Sequence, residues 1–164
     1  MKDTDHVLVV AERAADPGRL VEMLGRRAQA APMTVTLLVP ATLYGIDWAG
    51  DPRASITDAA RYAELLRRTL AMEGVDVAHT LVGDPDPRAA IEDALGADRF
   101  AEVLISRPPR RFARMLRMDL PDRVAQATEA PVTYVSSPRL VPKPRRGRHG
   151  LKFRPSPFAF PHRS

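Results

Sequence analysis

Glu73 to Ile91 reads EGVDVAHTLVGDPDPRAAI and holds, in order, a helix stop, a strand, a turn and a helix start. Gly74 can close the helix before it as a left-handed cap, because glycine has no Cβ to oppose a positive φ. Val75 to Val82 (VDVAHTLV) reads as the third strand. Asp86-Pro87 then places a side-chain acceptor at an N-cap and proline at the first helical position, where its missing N–H costs nothing. Ala90, Ile91, Ala94 and Leu95 follow at helical spacing as a buried face, with Gly96 as the expected stop. Upstream, Tyr62, Leu65, Leu66 and Leu70 form the apolar stripe of the helix that Gly74 ends.

The same alternation extends in both directions. Val7 to Ala11 (VLVVA) is a continuous apolar run, the pattern of a strand buried on both faces of a parallel sheet. Asp16-Pro17 opens a helix with Leu20, Met23, Leu24 and Ala28 on its inner face, and Thr34 to Val39 is a second buried strand closed by Pro40. A loop is expected from Ala41 to Thr57, with Gly45, Gly50 and Asp51-Pro52 as breakers. Val103 to Ile105 reads as a fourth strand, Leu120 to Glu129 as a last helix opened by Pro121, and Val132 to Val135 as a fifth strand introduced by Pro131. Strands alternating with helices imply right-handed crossovers and a doubly wound α/β domain with a five-stranded parallel sheet and helices on both faces.

Composition bounds the rest. With 164 residues, 45% of them hydrophobic, the chain supports one core. Residues 1–137 form the expected α/β domain. The start of the chain lacks an export signal, so a cytoplasmic protein is expected. The absence of cysteine excludes disulfides, thiolate metal sites and cysteine nucleophiles. The formal charge of +5 is unevenly divided. Residues 138–164 carry Arg139, Lys143, Arg145, Arg146, Arg148, Lys152, Arg154 and Arg163 with no acidic residue, leaving 17 basic against all 20 acidic side chains in the body. This Pro/Arg-rich segment has no apolar period and reads as a tail that is disordered or ordered by a partner. An extended cationic arm with Phe153, Phe158 and Phe160 among its charges suits a polyanion, a nucleic acid or an acidic protein surface. A strap on the acidic body of the same chain is the competing reading.

Three stretches together resemble the universal stress protein family. They are HVLVVAE (His6 to Glu12), the segment Glu73 to Ile91 with its Gly83-Asp84-Pro85 turn, and VLISRPPRRFARMLRMDLPDRVAQATEAPVTYV (Val103 to Val135). In the last, Phe112-Ala113-Arg114, Asp122-Arg123-Val124 and Ala130-Pro131-Val132 keep the family's order and spacing. The resemblance implies the strand order 3-2-1-4-5, a crevice between the first and fourth strands, and, with the fifth strand as an apolar edge, a homodimer.

The departures from the family pattern bear on function. ATP-binding members wrap phosphates with glycine amides and a hydroxyl at a helix N-terminus. The register set by Phe112-Ala113-Arg114 puts Ile105, Pro108, Met118 and Asp119 at those positions, and Glu12 replaces the first strand's terminal aspartate, followed by Arg13 where a small residue is usual. Proline has no N–H to donate, Ile and Met set side chains against the phosphate path, and Asp119 repels an anion. The phosphate loop therefore reads as lost and no cofactor is expected. Arg107, Arg110, Arg111, Arg114 and Arg117 crowd that segment and could hold an anion by bidentate contacts. A solvated loop paired with acidic neighbours is the alternative.

Other candidates carry less. His6, His79, His149 and His162 have no metal-ligand spacing. Ser106, Ser136 and Ser137 lie at strand ends without a nucleophile elbow, and Trp48 reads as a loop anchor. The expected function is that of a non-catalytic, stress-related regulatory or interaction protein. The alternative is an anion or nucleotide binder that uses the arginines in place of glycines.

Overall fold

A computed structural model describes residues 4–43, 52–107, 124 and 126–136. The elements are β1 (Asp5–Ala11), α1 (Pro17–Ala30), β2 (Met33–Pro40), α2 (Pro52–Met72), β3 (Asp76–Gly83), α3 (Pro87–Ala97), β4 (Glu102–Arg107) and β5 (Val132–Ser136). The five strands are parallel in the order β3-β2-β1-β4-β5, as expected.

β1, β2, β4 and β5 run one to three residues past the expected runs, because ladder pairing continues past the buried positions, and β3 keeps its expected length but lies one residue further on. The period-two alternation of β1 divides the core between the two faces of the sheet. Val7, Val9 and Ala11 join Val35, Leu37 and Val39 against Leu20 and Leu24 of α1 and Ala59, Ala63, Leu66 and Leu70 of α2. Leu8 and Val10 join Leu38, Val103 and Ile105 against Ala90, Ile91 and Ala94 of α3 and Val124. Most of these side chains are fully buried, each worth about 1.5–3 kcal/mol of transfer free energy for the larger ones.

The two Asp-Pro helix starts behave as their chemistry requires. The Asp16 carboxylate accepts from the Gly18 amide at 3.1 Å, and Asp86 accepts from the Arg88 amide at 3.0 Å. Gly74 has φ of 78°, and beside it the Val75 amide donates to the Leu70 carbonyl at 3.0 Å. Gly83 serves a different need. A Cβ there would lie 2.5 Å from the Ala90 Cβ and 2.9 Å from the Leu38 Cδ1, so only glycine lets α3 pack this closely on the strand end.

Four expectations need correction. The second loop does not reach Thr57, since α2 begins at Pro52, proline again occupying a first helical position. Leu65 is 64% exposed, because it sits about 100° around the helix from Leu66, and the buried stripe runs through Ala59, Ala63, Leu66 and Leu70. Gly96 does not stop α3, which continues to Ala97 and ends where the Asp98 amide donates to the Ala94 carbonyl. The last helix does not reach Glu129. Helical backbone is described at Val124, Gln126 and Ala127, and Thr128 has already left it, its Oγ1 accepting from the Ala130 amide at 3.0 Å. The tail, residues 138–164, lies outside the described residues.

Candidate functional site

The order of the strands reverses between β1 and β4, and in open α/β sheets the crevice beyond the strand carboxyl ends at such a point is where ligands bind. Ala11 pairs with Ser106 there, and Ser106 pairs onward with Val135. Buried polar residues concentrate at this end. Among the described residues the buried polar or charged side chains are Glu12, Thr36, Ser55 and Ser106, and all but Thr36 lie at or next to the carboxyl ends.

Glu12 follows the last residue of β1 and is only 3% exposed. Arg13 turns the other way, towards the end of β2. Its guanidinium donates to the Thr42 carbonyl at 2.7 Å and to Ser55 Oγ at 3.3 Å, and approaches the Asp58 carboxylate at 3.8 Å. Ser55, in the first turn of α2, donates its hydroxyl to the Ala41 carbonyl at 2.7 Å or the Thr42 carbonyl at 3.1 Å. Arg13 and Ser55 thus bind the end of β1 to both flanks of the second crossover. A carboxylate and hydroxyls at this place can bond a ligand's hydroxyl or amino groups, while the Arg13 guanidinium is held on the β2 side of the β1 end.

The expected site residues divide accordingly. Glu12 and Ile105 are described, and both are buried. Ile105 does not line an open loop; it packs with Val10, Ala90 and Ile91 in the core beneath α3. Pro108, Met118, Asp119, Arg110, Arg111, Arg114 and Arg117, and the side chain of Arg107, lie outside the described residues, as do Trp48 and the basic tail. Arg13, noted in the sequence only as a departure, and Ser55, not singled out at all, are the additions the structure makes. Their hydrogen-bond partners lie 13 to 42 residues away, and the one local signal near Ser55, Asp51-Pro52, reads as a breaker in the sequence.

Other polar clusters are placed elsewhere. His6 Nε2 is 2.9 Å from Thr36 Oγ1, its Nδ1 is 3.6 Å from Asp98, and its ring lies 4.7 Å from that of Phe100. Among the described residues no three His, Asp or Glu side chains converge as a metal set, and no helix is long and apolar enough to cross a membrane.

No family model and no curated protein matches the sequence. Solved structures do match. The universal stress protein UspA from Lactobacillus plantarum superposes with a TM-score of 0.60 at 14% identity, covering 80% of this chain and 97% of that one. This chain has the universal stress protein fold. A universal stress protein family member from Arabidopsis thaliana with AMP bound superposes at 0.56 and 14% identity, covering 82% and 93%. The universal stress protein from Archaeoglobus fulgidus in complex with dAMP superposes at 0.54 and 15% identity, covering 82% and 98%. The universal stress protein fold thus extends over nearly the whole of each of these chains.

Proposed function

We propose that the chain is a cytoplasmic regulatory or interaction protein of universal stress protein type, without catalysis, whose crevice does not take ATP as a glycine-rich loop would. The observation that carries this reading is Arg13. Its guanidinium already sits at the carboxyl end of β1, held by the Thr42 carbonyl and Ser55. The replacement of loop glycines supports it, since Pro108 loses an amide donor, at a cost on the order of 1 kcal/mol or more against a phosphate, Ile105 and Met118 add side chains to the phosphate path, and Asp119 repels an anion. Calorimetry with ATP and with AMP tests the reading. The expected result is no binding in the micromolar range, and a low-micromolar Kd for ATP would overturn it. Weak binding abolished by alanine at Arg107, Arg110 and Arg111 would move the function to the arginine-based anion site instead.

The proposed mode of action is through assembly. β5 is an outer strand, and Val132 and Tyr134 remain half-buried there beside an outer ladder that no described residue pairs. Pairing of two copies along β5 satisfies that ladder. Light scattering at tens of micromolar should give a dimer mass, and a monomer would exclude this mode.

A further inference from the structure

The opposite edge of the sheet differs in charge and in cover. β3 is the outer strand on the β2 side, and among the described residues nothing pairs its outer ladder. Six of its eight residues are exposed, including Leu81 and Val82. Such an edge is a template for another strand, and proteins usually blunt it with lysine or proline. DVAHTLVG contains neither, and no arginine. Charges of one sign flank it instead, with Glu73 and Asp76 at its amino end, Asp84 and Asp86 at its carboxyl end, and no Lys or Arg from 73 to 86. Elsewhere Glu22, Asp58, Glu64, Glu92 and Glu102 pair with arginines. Glu73, Asp76, Asp84 and Asp86 form no ion pair among the described residues.

We propose that residues 145–154 of the same chain, RRGRHGLKFR, add to β3 as a sixth strand antiparallel to it. This is the longest proline-free stretch of the basic tail, and its ten residues match the eight of β3. Leu151 and Phe153 alternate with Lys152 and Arg154, the period of a strand with one apolar face. The charges are complementary, five basic residues against four acidic ones. The connection also reaches. β5 ends at Ser136 at the same carboxyl end of the sheet as Gly83, and the place outside β3 is five strand spacings away, or about 24 Å. The eight residues 137–144, three of them proline, span about 25 Å when extended. Arriving from the carboxyl end, the segment runs antiparallel, with Arg145 and Arg146 beside Asp84 and Asp86, and Lys152 and Arg154 beside Glu73 and Asp76. A polyanion would then compete with β3 for the same cations.

The chain has three lysines, Lys2, Lys143 and Lys152, so zero-length carbodiimide coupling reads this contact directly. In the full chain at low salt, Lys152 should couple to Glu73 or Asp76. In a mixture of isotopically heavy and light protein that product should contain one isotope only. Leu151→Pro with Phe153→Pro should abolish the coupling and speed exchange of the outward β3 amides about tenfold. Coupling of Lys152 only to other carboxylates, no coupling, heavy–light hybrids, or β3 exchange unchanged in the proline variant would each overturn the assignment.

Discussion

At the amino end of the sheet Glu102 accepts from Arg27 at 2.6 Å and from Thr133 at 2.8 Å, whereas at the carboxyl end Arg13 donates to a backbone carbonyl and a serine and stands 3.8 Å from the exposed Asp58. The amino-end cluster brings opposite charges together from α1, β4 and β5, with Arg27 in the last turn of α1 also facing the negative end of the helix dipole. Burial raises the Glu102 carboxyl, but the hydrogen bonds from Arg27 and Thr133 outweigh it and hold the group below its ordinary value. The carboxyl end instead keeps Glu12, Ser55 and Ser106 out of water and receives the N-termini of α2 and α3. One end is a set of clamps whose charges answer one another; the other gathers buried polar atoms and helix amides where an α/β sheet meets its ligands.

The largest expected effect tests packing at the carboxyl end. Gly83→Val places a Cβ inside van der Waals distance of Ala90 and Leu38, so α3 must move off the sheet. A loss of about 3 kcal/mol in urea unfolding is expected. Gly96→Ala is the control, because its Cβ meets nothing within 4 Å and helix propensity favours alanine by about 1 kcal/mol. Equal effects of the two changes would show that the strand end is not closely packed.

A smaller effect separates the clamp from the crevice. Glu102→Gln should cost about 1 kcal/mol at neutral pH, a figure kept low because the Arg27 side chain is 38% exposed. The folded state lowers the pKa of Glu102, so it favours the ionised form. Its contribution is full above the ordinary value of 4.5 and is lost as pH falls through the lower folded value. The gap between wild type and Glu102→Gln in denaturant midpoint should therefore narrow below about pH 4.5. A gap that widens on acidification would reverse the assigned sign.

Much of this fold is legible in the sequence because its signals are local. Asp16-Pro17 and Asp86-Pro87 announce helices through their own cap chemistry, and VLVVA declares a two-faced strand in five letters. Asp51-Pro52 is the same pair of letters, yet behind Gly45 and Gly50 it reads as a breaker, and the first turn of α2 with Ser55 is missed. Ala59 and Ala63 escape notice because alanine contributes little to an apolar pattern, and Leu65 takes their place in the stripe by composition alone. The candidate site is less legible. Glu12 is found from its place at a strand end, but the role of Arg13 depends on Thr42 and Ser55, 29 and 42 residues away, and no local period connects them.

The smallest expected effect belongs to a cluster that looks stronger than the Glu102 clamp. On the outer side of α2, Glu64 accepts from Arg67 Nε and Nη2 at 2.8 Å each and from Arg68 Nε at 2.7 Å. Hydrogen bonds from Arg67 and then Arg68 hold its carboxyl down to about 2. The sign is that of Glu102: any contribution is present above the ordinary value and lost as pH falls towards the folded one. All three side chains are at least 40% exposed, however, so water and salt screen the charges, and fixing two long arginines opposes the gain. Glu64→Gln is therefore expected to leave the melting temperature unchanged at about 0.15 M salt, although it removes more hydrogen bonds than Glu102→Gln. Differential scanning calorimetry of the two variants side by side decides the matter. If Glu64→Gln lowers the melting temperature as much as Glu102→Gln does, hydrogen-bond count outweighs burial in this fold, and the distinction between clamp and surface pair fails.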